Sequence, residues 1–269
     1  MTTIVSFHAH PDDECISTGG TLAKAASDGH RVVLVWATRG ENGEVPDGFL
    51  DQGEELWQRR IKEAARSADI LGVSRSEFLG YRDSGMMGTP ENDDARAFWQ
   101  ADVEEAGERL AAILRQEDAD VLIAYDPNGT YGHPDHIQVH RVGLLAAEKA
   151  GTGRVYQVTA NRDAIQKWFE AAREAGIELP GDLPREMPDF GSPESVITTT
   201  VDVTGFLDRK RAAMEAHASQ IAPDSFFLRF PPDMFEQAFG TEWFIRNDGA
   251  PAGRETSILA GLDGSDTAR

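Results

Sequence analysis

Apolar positions recur along the chain in two rhythms, one that of strands and one that of amphipathic helices. Thr3–Phe7 is a short β-branched and aromatic run that stops at polar residues, and Thr18–Asp28 after it reads as a helix ending at Gly29. Arg31–Thr38 (RVVLVWAT) is almost continuously apolar, the mark of a parallel strand covered on both faces. A loop rich in glycine and acid follows over Arg39–Gly53. Glu54–Leu71 returns to helical spacing through Leu56, Trp57, Ile61, Ala64, Ala65, Ala68 and Leu71, with Gly72 as the stop. Glu77–Leu79 is a weak strand, Phe98–Gln116 an amphipathic helix, and Asp120–Tyr125 (DVLIAY) another buried strand that breaks at Asp126-Pro127-Asn128-Gly129. His133–Lys149 is helical, with Pro134 in a first turn where its missing N–H is no loss.

Strands and helices alternating at these lengths predict an α/β fold: a Rossmann-like, largely parallel sheet with helices on both faces. Beyond residue 150 the rhythm loosens. Arg154–Val158, Val196–Val201 and Glu242–Arg246 read as strands, Phe206–Ala218 and Pro232–Phe239 as helices, and the proline-rich Gly176–Pro193 as loop. The expectation is one domain over residues 1–246, with a core in 1–150 and a smaller decorating cap or substrate wall in 151–246. Residues 247–269, rich in Gly, Ala, Asp and Ser, read as a flexible tail. No internal repeat stands out.

Composition narrows the chemistry. Asp and Glu outnumber Lys and Arg 46 to 26, a formal charge of −20, and a surface of that sign repels a phosphate backbone, so nucleic acid is not an expected partner. Cys15 is the single cysteine, which excludes an internal disulfide and a cysteine-based zinc site, so any metal falls to His, Asp or Glu. With no basic leader or long apolar segment in view, a cytoplasmic protein without a membrane span is expected.

Two segments concentrate ligand-type residues, and each follows a strand: His8-Ala9-His10-Pro11-Asp12-Asp13-Glu14 and Tyr131-Gly132-His133-Pro134-Asp135-His136. The carboxyl edge of an open α/β sheet is where such segments converge. A catalytic zinc takes three protein ligands and keeps one position open, which His10, Asp13 and His136 would supply. His140, one turn beyond His136, satisfies the same spacing, and spacing does not choose between them. Asp12 would then be the general base for water, and His133 the group that stabilises the oxyanion and protonates the amine, with Asp135 or another carboxylate beside it and Tyr131 adding a phenolic hydrogen bond. His8 reads as a packed histidine, Glu14 as a support for its motif, and Cys15 as a small buried residue.

These residues resemble the LmbE-like, PIG-L-type deacetylases, which include N-acetylglucosaminylphosphatidylinositol de-N-acetylase. The matching pieces are AHPDDE at Ala9–Glu14, RDSGM at Arg82–Met86 and YDPNGxYGHPDH at Tyr125–His136. The second points to the mycothiol-pathway branch, whose members deacetylate N-acetylglucosaminyl-inositol or cleave mycothiol conjugates. The resemblance implies zinc on His10, Asp13 and His136, Asp12 as base and His133 as acid. It also implies contacts from Arg60 and Asp83 to sugar or inositol hydroxyls; pairing of Arg60 with Glu63 or Glu55, and a turn-shaping role for Asp83, are the alternatives. Lys210 and Ala216-His217-Ala218-Ser219-Gln220 loosely resemble a late family segment.

The expected activity is therefore zinc-dependent removal of an N-acetyl group from a small GlcNAc-type glycoside, although a His₂Asp site also accepts Fe²⁺ or another divalent ion. An amidase for larger thiol conjugates or N-acylated natural-product sugars is the nearest rival, and a non-catalytic sugar-binding module is the rival of another class. A homo-oligomer is neither required nor excluded.

Overall fold

The runs read as strands stand side by side in the computed structural model, which describes residues 1–174, 190–225, 227–249 and 253–262. Among these residues the strands are β1 (Thr3–His8), β2 (Arg31–Trp36), β3 (Arg75–Phe78), β4 (Val121–Tyr125), β5 (Arg154–Thr159), β6 (Thr199–Asp202) and β7 (Thr241–Arg246). They form one sheet in the order β3-β2-β1-β4-β5-β7-β6. The first five run parallel, while β7 is antiparallel to both β5 and β6. β1, β2 and β4 are buried almost end to end, which is why their sequences are apolar at consecutive rather than alternate positions.

The helices are α1 (Asp13–Ser17), α2 (Gly19–Ser27), α3 (Leu56–Leu71), α4 (Val103–Gln116), the single turn α5 (Gly129–Gly132), α6 (Pro134–Ala150), α7 (Arg162–Glu174), α8 (Leu207–Ala216) and α9 (Pro232–Phe239). After β1 the chain moves outward through β2 and β3, then returns to β4 on the other side of β1. Right-handed crossovers therefore send the helices before and after the return to opposite faces. α2, α3 and α8 pack on one another, and α4 packs on α6. The reversal leaves a crevice beyond the carboxyl ends of β1 and β4, where a doubly wound sheet binds its ligand.

Several boundaries differ from the sequence reading. The helix expected from Thr18 begins at Asp13 and breaks at Thr18, because the Glu242 carboxylate reaches across from β7 and accepts the N–H groups of Gly20 (2.9 Å) and Thr21 (2.8 Å), capping a second helix. The stretch expected as one helix over Phe98–Gln116 is a short 3₁₀ turn followed by α4, whose cap Asp102 accepts the N–H of Glu105 at 3.0 Å. Helix α7 was not expected at all. The Asn161 side chain caps it by accepting the N–H of Ala164 at 3.0 Å.

The region from 151 on does more than decorate, since β5, β7 and β6 complete the sheet. The tail expected to leave the body at 247 is corrected by residues 253–262, which dock on it. Glu255 exchanges backbone hydrogen bonds with Thr198 and Thr200, both 2.9 Å, and Ile258 and Leu259 are buried in the core. Isolated apolar residues in a polar segment show no periodicity, so their burial was invisible until the sheet edge existed. Most of the predicted loop at Gly176–Pro193 lies outside the described residues.

Candidate metal centre

β1 delivers Ala9–Asp13 and β4 delivers Asp126–His136 to the same crevice. Asp126 fixes the second loop: its Oδ1 accepts the N–H groups of Asn128 (3.0 Å) and Thr130 (2.9 Å), and its Oδ2 accepts the Thr159 hydroxyl at 2.5 Å. Gly129 sits at φ 57, and a Cβ there would collide with His136, reaching 2.7 Å from its carbonyl carbon and 2.8 Å from the Ile137 nitrogen. Only glycine lets the loop fold back this closely.

His10, Asp13 and His136 come together. Asp13 Oδ2 lies 3.5 Å from His10 Nδ1 and 3.4 Å from His136 Nε2. Ligands about 2.0–2.1 Å from a tetrahedral ion stand about 3.3 Å apart, so these three donors fit one divalent cation. His140 does not join them, because its Nδ1 lies 2.9 Å from the Tyr125 carbonyl oxygen.

A second cluster, His10, Asp83, His133 and Asp135, has its ligand-type atoms within 4.8 Å of one another, but its carboxylates are taken. Asp135 accepts His10 Nε2–H and the Ser84 N–H, both at 3.0 Å, together with the Ser84 hydroxyl. Asp83 accepts the N–H groups of Gly85 (2.8 Å) and Asn42 (3.2 Å). Asp135 thus serves His10, the arrangement by which a carboxylate orients a metal-binding imidazole. It is not the carboxylate partner of His133 that the sequence suggested. Only its backbone N–H touches that residue, donating to His133 Nδ1 at 3.1 Å.

The electrostatics follow from this crowding. Burial alone would lower His10, but Asp83, Asp13 and Asp135 outweigh it and hold the imidazole well above its ordinary pKa. A cation at Nδ1 must displace the proton that these carboxylates favour there. Divalent-metal affinity is accordingly expected to weaken as pH falls from 8 toward 6, with proton release on binding; calorimetry in buffers of different ionisation enthalpy measures both. Burial, with His10 and His136 alongside, lowers His133 to about 3, so it is a neutral imidazole whose engaged Nδ1 leaves the proton on Nε2. Burial raises Asp12 to about 6 against the opposing pull of Arg60. The Cys15 thiol is pushed up by burial, which fits a packed residue rather than a reactive one.

Arg60 pairs with neither Glu63 nor Glu55. It is buried, donating to Asp12 Oδ2 (3.1 Å), the Gly40 carbonyl (3.0 Å), Gln220 Oε1 (3.3 Å) and the Pro11 carbonyl. Arg60 and Asp83, both expected to meet the sugar, also have protein partners, and Asp83 both shapes a turn and faces His10 at 3.5 Å. Tyr131 is 45% exposed at the mouth, its hydroxyl 3.3 Å from His136 Nε2. His8 is fully buried between Ser6 Oγ (2.7 Å) and the Tyr125 hydroxyl (2.9 Å), as a packing histidine should be.

Sequence reasoning missed Ser84, although it lies inside the RDSGM motif, because its partner Asp135 is distant in the chain. It also gave no role to Glu242. An apolar cavity of about 430 Å³ adjoins the site, bordered by Ile16 and Thr130 on the near side and by Trp168, Phe230 and Trp243 beyond, and none of His10, Asp13 and His136 lines it. Among the described residues no helix is long and apolar enough to cross a membrane.

A solved N,N'-diacetylchitobiose deacetylase from Pyrococcus horikoshii superposes with a TM-score of 0.56 at 25% identity, over 91% of this chain and 83% of that one. A 4-carboxy-2-hydroxymuconate hydratase from Pseudomonas putida superposes at 0.59 with 21% identity, over 94% of this chain and 98% of that one, a likeness of fold alone. In sequence the chain is 45% identical to a 1D-myo-inositol 2-acetamido-2-deoxy-alpha-D-glucopyranoside deacetylase of Acidothermus cellulolyticus, across 98% of this chain and 96% of the relative. The family model for PIG-L, GlcNAc-PI de-N-acetylase, matches residues 5–147, the span holding both metal-site loops, and the chain belongs to that family.

Proposed function

We propose that this protein is a zinc-dependent amide hydrolase that removes the acetyl group from N-acetylglucosaminyl-inositol, releasing acetate and the free amine. The observation that carries the reading is the trio His10, Asp13 and His136 at ligand spacing, with Asp12 next to Asp13 in the chain and the His133 ring 4.7 Å from that of His10 and 5.2 Å from that of His136. The identity to relatives named for this substrate, over nearly the whole chain, supports the choice of glycoside.

A divalent cation on the trio supplies a Lewis acid for the amide carbonyl and lowers the pKa of water to roughly 7. The chain's own groups do the rest. Asp12, adjacent to the ligand Asp13 and oriented by Arg60, takes a proton from the attacking water. His133 offers Nε2–H to the oxygen where negative charge develops, and Tyr131 adds its hydroxyl from the mouth. As the C–N bond breaks, the amine leaves with the proton that Asp12 took from the water, while His133, neutral with Nδ1 engaged, keeps its Nε2–H on the acetate oxygen. A pure binding module has no use for Asp12 and His133 around such a trio.

One observation favours a second reading of the substrate. The apolar cavity beside Thr130 has room for an acyl chain longer than acetyl, which suits the amidase alternative. The test is acetate release from GlcNAc-inositol compared with cleavage of bulky N-acyl conjugates. Turnover of conjugates alone overturns the acetyl-glycoside assignment. Chelation is expected to abolish activity and added Zn²⁺ to restore it; full activity after verified metal removal overturns the metal mechanism.

A further inference from the structure

The segment after α8, His217-Ala218-Ser219-Gln220, has no hydrogen bond to His10, Asp13 or His136, yet its polar side chains converge on the residues around Asp12. Asp12 has φ 107, a left-handed backbone that a non-glycine residue keeps only where its surroundings enforce it. Two hydrogen-bonded arms reach this residue, one at its backbone and one at its carboxylate. In the first, His217 Nε2–H donates to Glu14 Oε1 at 2.7 Å, and Glu14 Oε2 accepts the backbone N–H of Asp12 at 2.9 Å. Glu14 is fully buried and also accepts the Ser67 hydroxyl (2.6 Å) and Trp36 Nε1–H (3.1 Å). The His217 ring is fully buried with Nδ1 unpartnered, so Glu14 is its one polar contact among the described residues. In the second arm, Gln220 Oε1 accepts from Arg60 at 3.3 Å, and Arg60 donates to the Asp12 carboxylate. Ser219 pins the segment between the arms, giving its N–H (3.0 Å) and hydroxyl (2.6 Å) to Glu63, one turn along α3 from Arg60.

We propose that His217 and Gln220 are positioning residues for the general base, one fixing the backbone of Asp12 and the other its carboxylate. This rests on the reading of Asp12 as base. A misplaced base loses rate without losing substrate, and displacements near 1 Å cost up to about a hundredfold.

The test uses full-length, zinc-loaded enzyme with GlcNAc-inositol. His217→Ala and Gln220→Leu are each expected to lower kcat by tenfold or more, with KM and zinc stoichiometry close to wild type. His217→Gln, whose amide can still donate to Glu14, recovers most of the loss. In an Asp12→Ala background neither change reduces the residual rate further, because groups acting through one residue are non-additive. Unchanged kcat in both single variants, zinc loss parallel to rate loss, or a further drop on top of Asp12→Ala overturns the proposal. If Asp12→Ala itself is as fast as wild type, the assignment of the base fails instead, and this proposal falls with it. Should His217→Ala not fold, His217→Gln with Gln220→Leu decides the matter.

Discussion

Replacing Asp12 by asparagine is expected to slow kcat by about 10²–10⁴-fold, the range a positioned general base contributes. Asparagine is the informative change because it tolerates positive φ better than most residues and keeps an oxygen for Arg60, so backbone and hydrogen bond survive while basicity is lost. Metal content and KM should stay near wild type, since the proposed ligands His10, Asp13 and His136 are untouched. Steady-state kinetics with metal analysis of the same sample separates the outcomes. A rate within twofold of wild type at full metal occupancy would show that another group takes the proton.

The second large effect is on stability. Lys210 and Glu242 form an ion pair at 2.6 Å with side chains 1% and 2% exposed. Glu242 also accepts the N–H groups that begin α2, so one carboxylate ties α8, α2 and β7 together. Lys210→Met removes the cation and strands a buried anion, which typically costs about 3–5 kcal/mol. Denaturant unfolding should show a lower midpoint at an unchanged slope. Lys210→Met with Glu242→Gln should recover much of the loss, because the penalty lies in the unpaired charge rather than in the missing contact. An unchanged midpoint in the single variant would mean that solvent or another cation reaches Glu242.

Local pattern carried a good part of this molecule. The near-continuous apolar runs at β1, β2 and β4 announce parallel strands buried on both faces, whatever surrounds them. Gly72 ends α3 at φ 82 and Pro134 opens α6 for reasons internal to the backbone. The two loops rich in His and Asp were legible because each follows such a strand, and the edge of the sheet on which they meet is set by the chirality of the crossovers. Helix α7 was also within reach, through Asn161 as a cap and Ile165, Trp168 and Phe169 at helical spacing, but a proline-rich neighbourhood masked the signal.

Partner choice was not legible. Nothing local says that the Asp135 carboxylate belongs to His10 and Ser84 rather than to His133, that Arg60 holds Asp12 and Gln220, or that Glu242 caps the start of α2. The docking of Glu255, Ile258 and Leu259 on the sheet edge belongs with these. The chain by itself determined the strands, the crossover hand and the two ligand-bearing turns, because these depend on backbone sterics and on apolar period over a few neighbouring residues. Only the tertiary structure decided which carboxylate faces which imidazole and which arginine faces Asp12. A hydrogen bond between residues many positions apart is chosen by what burial leaves within about 3 Å, and no local period records that.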